Sequence, residues 1–237
     1  MVVGSWGEAY LTRLRGCAVR MGRELVEISA RDRAVRLVEA EARTVEEGFG
    51  AGLLALESSS RVRTLDPLQG AAWLVAGEPP RARWESLPQL AAYVELLRAG
   101  YPEAAVRFET PATELGLDLA AVNDDGQVLL LGVARAEPLE LAKLEALVPT
   151  FDGEDARSVR DVPGREAQRL AYQLWSTRAP YLWMVAAGDR RLFRVGYGRT
   201  ITLTRGRVLP MPEELWPFGF DGPTPRVAFV GATAVAG

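Results

Sequence analysis

The sequence predicts an α/β protein in which a helical N-terminal segment precedes a sheet flanked by helices. Three observations carry that prediction. In the first fifty positions apolar residues recur at alternating steps of three and four, as one face of a helix requires. A helical pattern opening at Ser86 gives way to short strand-like runs around the turn Asn-Asp-Asp-Gly at 123–126. Two further helical patterns, at 138–148 and 165–176, separate those runs from a second group of strand-like runs.

In chain order, Leu11, Leu14, Ala18, Met21, Leu25 and Ile28 form the first stripe. Ser29 and Asp32 are suited to cap a second helix, along which Val35, Val38, Ala42 and Val45 continue a stripe until Gly48, Gly50 and Gly52 weaken it. Such a stripe packs against its own domain, or it pairs as a short coiled-coil seam with a protein partner or a second copy of the chain. The polar run 58–60 and Gly-Glu-Pro-Pro at 77–80 are the best internal boundaries. They divide the chain into a mainly helical segment (1–80), a core (81–209) and an extended tail (210–237) that should lie on the core, with Trp216, Phe218 and Phe220 close together.

Within the core, Leu90, Tyr93, Val94 and Leu97 share one side of the helix that Ser86 opens and Gly100 ends. Strands are expected at 105–109, 115–122 and 127–134, the last apolar on both faces through Val128, Leu129, Leu130 and Leu131, as befits a central strand. Pro138 suits the first turn of the next helix. Leu170, Leu174 and Trp175 give the helix at 165–176 its packing face, and strands at 181–187, 192–195 and 200–204 follow.

Composition removes several chemistries. The 237 residues include no histidine, which excludes a Ser-His-Asp triad, a Cys-His dyad and a His-ligated zinc site. Cys17 is the single cysteine, so no intramolecular disulfide forms. Lysine is nearly as scarce: of 28 basic residues, Lys143 alone is not arginine. No apolar run is long enough for a membrane span, and the N-terminus has no signal-peptide layout, so a cytoplasmic protein without a membrane partner is expected.

The formal charge of −3 conceals an asymmetry. Between Arg157 and Arg207 eleven arginines face three acids, a net +8, which leaves −11 for the rest. The split marks a surface for DNA or RNA, or else it marks arginines that pair in space with acids from elsewhere. Gly196-Tyr-Gly198 is a turn rather than a phosphate loop. Asp152, Glu154 and Asp155 make an acidic loop whose spacing does not match an EF-hand.

The stretch ELGLDLAAVNDDGQVLLLGVAR, and the later REAQRLAYQLWSTRAPYLWMVAAGDRRLFRV, resemble the restriction-endonuclease-like superfamily, the PD-(D/E)XK nucleases. The first looks like that family's hairpin, with Asp118 at its Asp position. In the second, Gln168 and Tyr172 match the family's Gln-X-X-X-Tyr helix. The likeness covers roughly the central half of the chain and implies a mixed sheet flanked by helices. It also implies a divalent metal such as Mg²⁺ held by two carboxylates, beside a lysine that stabilises charge on the phosphate.

If the hairpin closes at 123–126, residue 118 comes opposite 132, and the family's Glu and Lys fall at Gly132 and Ala134. Neither is present. The expectation is therefore a degenerate member: a non-catalytic nucleic-acid-binding or assembly subunit that needs no cofactor. Its contact surface would comprise Gln168, Arg169, Tyr172, Arg190, Arg191 and Arg194. The alternatives are a protein-interaction scaffold and a metal-dependent nuclease with a migrated site. In the latter, Asp118 holds the metal, and Glu140 and Lys143 on the next helix replace what the hairpin lacks.

Overall fold

The computed structural model describes residues 5–64, 71–108, 116–153, 165–217 and 219–220. Helix α1 (Trp6–Arg20) opens where the Ser5 hydroxyl accepts the Glu8 N–H at 3.2 Å, and it buries Tyr10, Leu11, Leu14, Cys17 and Ala18. Gly22 ends the turn at φ +72°, so Met21, Leu25 and Ile28 reach the same core from non-helical chain. The apolar stripe is therefore covered by its own domain, the first of the two packings that the sequence allows. Ser29 caps α2 (Ala30–Arg36), accepting the Asp32 N–H at 3.0 Å, but this helix buries nothing. An extended step at Leu37 and Val38 separates it from α3 (Glu39–Gly50), where Ala42 and Val45 are buried. Helix α3 passes Gly48, where a Cβ would lie 2.8 Å from Val94 Cγ2, and ends at Gly50, with Gly52 beyond it at φ +75°, among the glycines expected to weaken it.

Five short strands follow that the sequence pattern did not announce. β1 (Leu54–Leu56), β2 (Arg61–Thr64) and β3 (Ala71–Trp73) form an antiparallel sheet, while β4 (Val75–Ala76) pairs with β5 (Arg81–Ala82). Runs of two to four residues are too short to show an alternation. The described apolar residues of the segment 1–80 join a cluster that extends to Trp216.

Helix α4 (Ser86–Arg98) is the hub. Ten of its thirteen residues are buried, which is the pattern of a helix enclosed on all sides rather than an amphipathic one. Beyond it lies a six-stranded mixed sheet of β6 (Val106–Phe108), β7 (Leu119–Val122), β8 (Val128–Ala134), β9 (Tyr181–Ala186), β10 (Asp189–Tyr197) and β11 (Ile201–Gly206). Neighbours in the sheet are neighbours in the chain. All pairs are antiparallel except β8 with β9, which are parallel. A parallel pair needs a crossover, and α5 (Pro138–Leu147) and α6 (Glu166–Thr177) supply it.

Those two helices cover one face of the sheet through Leu141, Leu144, Leu170, Ala171 and Leu174, against Leu131, Val133, Leu182 and Met184. On the other face α1, α3 and α4 meet Leu119, Leu130, Ala134 and Val185. The α/β class and the two-sided burial of β8 are as the sequence predicts. After α7 (Pro212–Leu215), Trp216 is buried, its Nε1–H donates to the Val122 carbonyl at 3.1 Å, and Tyr101 donates to the Pro210 carbonyl at 2.7 Å. The start of the tail thus lies on the core; Phe218 and residues beyond 220 are outside the described residues. Among the described residues no helix is long and apolar enough to cross a membrane.

Candidate functional site

The hairpin that should display the site has a different register from the one its turn suggests. Leu119 pairs with Gly132, Ala120 with Leu131 and Ala121 with Leu130, but a bulge intervenes before Val122 pairs with Val128. Continuing the pairing outward brings residue 118 opposite 133, not 132. Side chains alternate along a strand, so a slip of one residue moves them to the opposite face. Gly132 and Ala134 therefore share the face of Leu119, and a Cβ on Gly132 would lie 2.8 Å from the Leu119 Cβ. The expected opposition of residue 118 to Gly132 is corrected: the register brings Asp118 opposite Val133, with Arg135 on the same face.

Contacts at Asp118 agree with that register. Its Oδ2 accepts the Ala134 N–H at 3.0 Å and an Arg135 guanidinium N–H at 3.2 Å. The Asp118 carbonyl accepts from Gln89 Nε2 at 2.9 Å, which ties the site to α4. A permanently charged guanidinium thus stands beside the carboxylate, and the residue opposite Asp118 is the apolar Val133.

Glu140 and Lys143 approach this point without completing a metal centre. Glu137 and Glu140 form a reciprocal cap on α5, in which Glu140 Oε2 accepts the Glu137 N–H at 2.9 Å. Arg36 in turn holds Glu137, at 2.7 Å. Lys143, a turn further on, is exposed and has no ion-pair partner among the described residues. Among the described residues no group of three or more Cys, Asp or Glu side chains converges to hold a metal ion. Asp118 Oδ2 is taken by two donors, Glu140 closes a helix end and Val133 has no donor atom. These residues do not fit the divalent metal that the family resemblance implies.

What they form is a cleft of about 520 Å³ between α5 and α6. Arg135 stands with Glu140, Lys143 and Leu147 of α5, with Phe151 beyond it, and with Arg165, Glu166 and Gln168 at the start of α6. Gln168 is 8 % exposed, so the helix presents it to the cleft as a mostly covered polar group. Tyr172, one turn along, packs half-buried on the apolar cluster beneath. Arg169 and Gln173 donate to the Gly116 carbonyl at 3.3 and 3.1 Å and so tie α6 to the chain entering β7.

The arginines of the +8 region divide between two faces, and three of the nine described, Arg190, Arg191 and Arg205, have acidic partners. Arg190 grips Glu95 with a two-pronged contact (3.1 and 3.0 Å) and Glu41 at 2.7 Å, below α3 and α4. Burial pushes the Glu41 carboxyl above the usual carboxylate range, against the opposing pull of Arg190 and the Gly188 N–H. On the opposite face Arg191 meets Asp189 at 2.6 Å and Glu145 at 2.9 Å, and Arg205 shares Glu145. These bonds, Arg205 first, hold Glu145 below the usual range. Arg178 lies over the Trp175 ring at 4.5 Å.

Arg194 stays exposed, 3.4 Å from the Tyr181 hydroxyl. The six residues expected to make one contact surface therefore do not. Gln168, Arg169 and Tyr172 belong to the α6 side, Arg190 and Arg191 are engaged in internal ion pairs, and Arg194 is on the α4 side. Arg157 and Arg160 fall outside the described residues. Sequence reasoning overlooked Arg135 and Arg165; only the bulge, invisible in the pattern, brings Arg135 beside Asp118. No family model matches the chain, and no curated protein or solved structure is similar to it.

Proposed function

We propose that the chain is a non-catalytic nucleic-acid-binding protein on a degenerate restriction-endonuclease-like scaffold, with its contact surface at the α5–α6 cleft. The observation that carries this reading is the Asp118–Arg135 pair, 3.2 Å apart, where a nuclease of that family needs a second acid and a metal. The element order supports the scaffold: α4, a strand, a hairpin, two helices and a strand parallel to the hairpin's second member. Among the described residues, Lys143 and Arg165 are cations of the cleft lining that no ion pair engages.

Filter binding of mixed DNA and RNA in rising salt tests the reading. Retention should fall with added salt, and Mg²⁺ should produce no cleavage. No retention, retention indifferent to salt, or Mg²⁺-dependent cleavage that Asp118→Ala abolishes would overturn it.

A second reading, an assembly scaffold, has one observation in its favour: Leu139 and Leu147 on α5 are 64 % and 48 % exposed. Light scattering that shows a strict monomer removes a self-assembling version of it.

A further inference from the structure

The lining of the α5–α6 cleft narrows the nucleic-acid reading, and the ligand class inferred from it rests on that reading. Among the described residues Lys143 and Arg165 have no ion-pair partner and bring the cleft two cations, whereas Arg135 is already matched by Asp118. Glu140 and Glu166 lie on the same lining, so the cleft carries little net positive charge, although Glu140 is turned back to the Glu137 N–H. A weak field is poorly suited to gripping the dense phosphate array of a duplex.

The cleft offers an apolar wall instead. Leu147 is 48 % exposed, and Phe151 is half-buried beside it. A volume of about 520 Å³ is that of a pocket for one small ligand. Two helices packed roughly 8–10 Å apart leave no room for a duplex between them. Unpaired bases, by contrast, stack on apolar and aromatic surfaces with little regard to sequence, while a few cations follow the backbone.

We infer that this cleft holds a nucleotide of single-stranded nucleic acid, its two flanking phosphates on Lys143 and Arg165, one each, and its base against Leu147 and Phe151. Because two cations carry the phosphate contact, the salt dependence is shallow: log affinity falls against log salt with a slope of about −1.4, roughly −0.7 for each phosphate neutralised on a single strand.

Fluorescence anisotropy of the full chain with labelled oligothymidylate, oligouridylate and a blunt hairpin duplex tests this. The single strands should bind at least about tenfold more tightly than the duplex. Lys143→Glu and Arg165→Glu should each weaken single-strand binding about tenfold and make the salt slope shallower by about 0.7. Leu147→Ser should weaken it by a similar factor and leave the slope unchanged, a combination that separates stacking from charge. Lys143 and Leu147 are exposed, so these substitutions do not test the core.

Equal affinity for the duplex, or single-strand binding that the three variants leave intact, overturns the inference while the broader nucleic-acid reading stands. Absence of binding to all three probes overturns both.

Discussion

Replacing Arg190 by alanine should be among the most damaging single changes in this protein, and the cost should depend on pH in a way that packing alone cannot produce. Arg190 is held by Glu41 at 2.7 Å, by Glu95 at 3.0 and 3.1 Å, and by the Ala186 carbonyl at 2.9 Å. The Glu41 side chain is 5 % exposed and the Glu95 side chain 35 %, so the two acids lose different amounts. Glu95 can turn to water, which limits its share to about 1 kcal/mol. Glu41 cannot. Its Oε2 is already enclosed without a partner, and removal of Arg190 would leave Oε1 only the Gly188 N–H, at 3.1 Å.

A buried carboxylate left unpaired costs about 3–5 kcal/mol. Glu41 can escape by taking up a proton, which at pH 7 costs an ordinary glutamate roughly 3.5 kcal/mol and so caps the loss. The expected destabilisation of Arg190→Ala is therefore about 3–4 kcal/mol at pH 7, or roughly 10 °C in Tm for a chain of this length. Near pH 5 protonation is almost free, and the loss should shrink to about 1–2 kcal/mol. Urea unfolding at the two pH values measures this. Adding Glu41→Gln to Arg190→Ala should restore most of the loss at pH 7. A loss below about 1 kcal/mol at pH 7, or an equal loss at both pH values, would refute the buried-charge argument.

Glu41 also has an effect in the intact protein. Because burial raises its carboxyl, the folded state holds its proton more tightly than the unfolded chain; that stabilisation is complete below the unfolded pKa and is lost as pH rises through the folded one. Glu41→Gln in the intact protein should flatten the decline above about pH 4.3, read from unfolding midpoints across the pH range. Glu145, held low by Arg205 and Arg191, acts in the opposite sense, so Glu145→Gln should reduce the stability lost on acidification below the ordinary carboxylate range. Gly132→Ala should cost about 1–3 kcal/mol in denaturant unfolding, because its Cβ would meet the Leu119 Cβ at 2.8 Å within a paired strand; a neutral result would show that the β7–β8 register differs from the one described.

How much of this was legible in the sequence depended on the length of each element. Helix α4 announced itself through the spacing of Leu90, Tyr93, Val94 and Leu97, strand β8 through an unbroken apolar run, and Ser29 announced the start of α2 through its cap. Strands β1 to β5 were invisible because two to four residues carry no period, and they form only where α1, α3 and α4 already provide a surface. The +8 region was legible as composition but not as a surface. Alternation along β10 sends Arg190 toward α3 and α4 and Arg191 toward α5, where acids distant in sequence await each. The −11 counted over the rest of the chain and the +8 of this stretch partly cancel across the sheet.

The candidate site shows why a motif read from spacing needs its register. Spacing alone suggests that Gly132 and Ala134 have lost a glutamate and a lysine. The bulge beside Val122 moves the register by one residue: Val133 comes opposite Asp118, and Arg135 is in contact with it. A lysine can share or release a proton near an active centre, whereas a guanidinium keeps its charge and forms a fixed pair. Asp118 without a metal would be a half-buried acid in need of a counter-charge, and Arg135 supplies one from the adjoining strand. The same pair matches one cation of the cleft and, on the proposed reading, leaves anion recognition to Lys143 and Arg165. The sole lysine of the chain is an exposed charge on the cleft lining, and Glu140, its neighbour one turn back, is engaged in closing the helix.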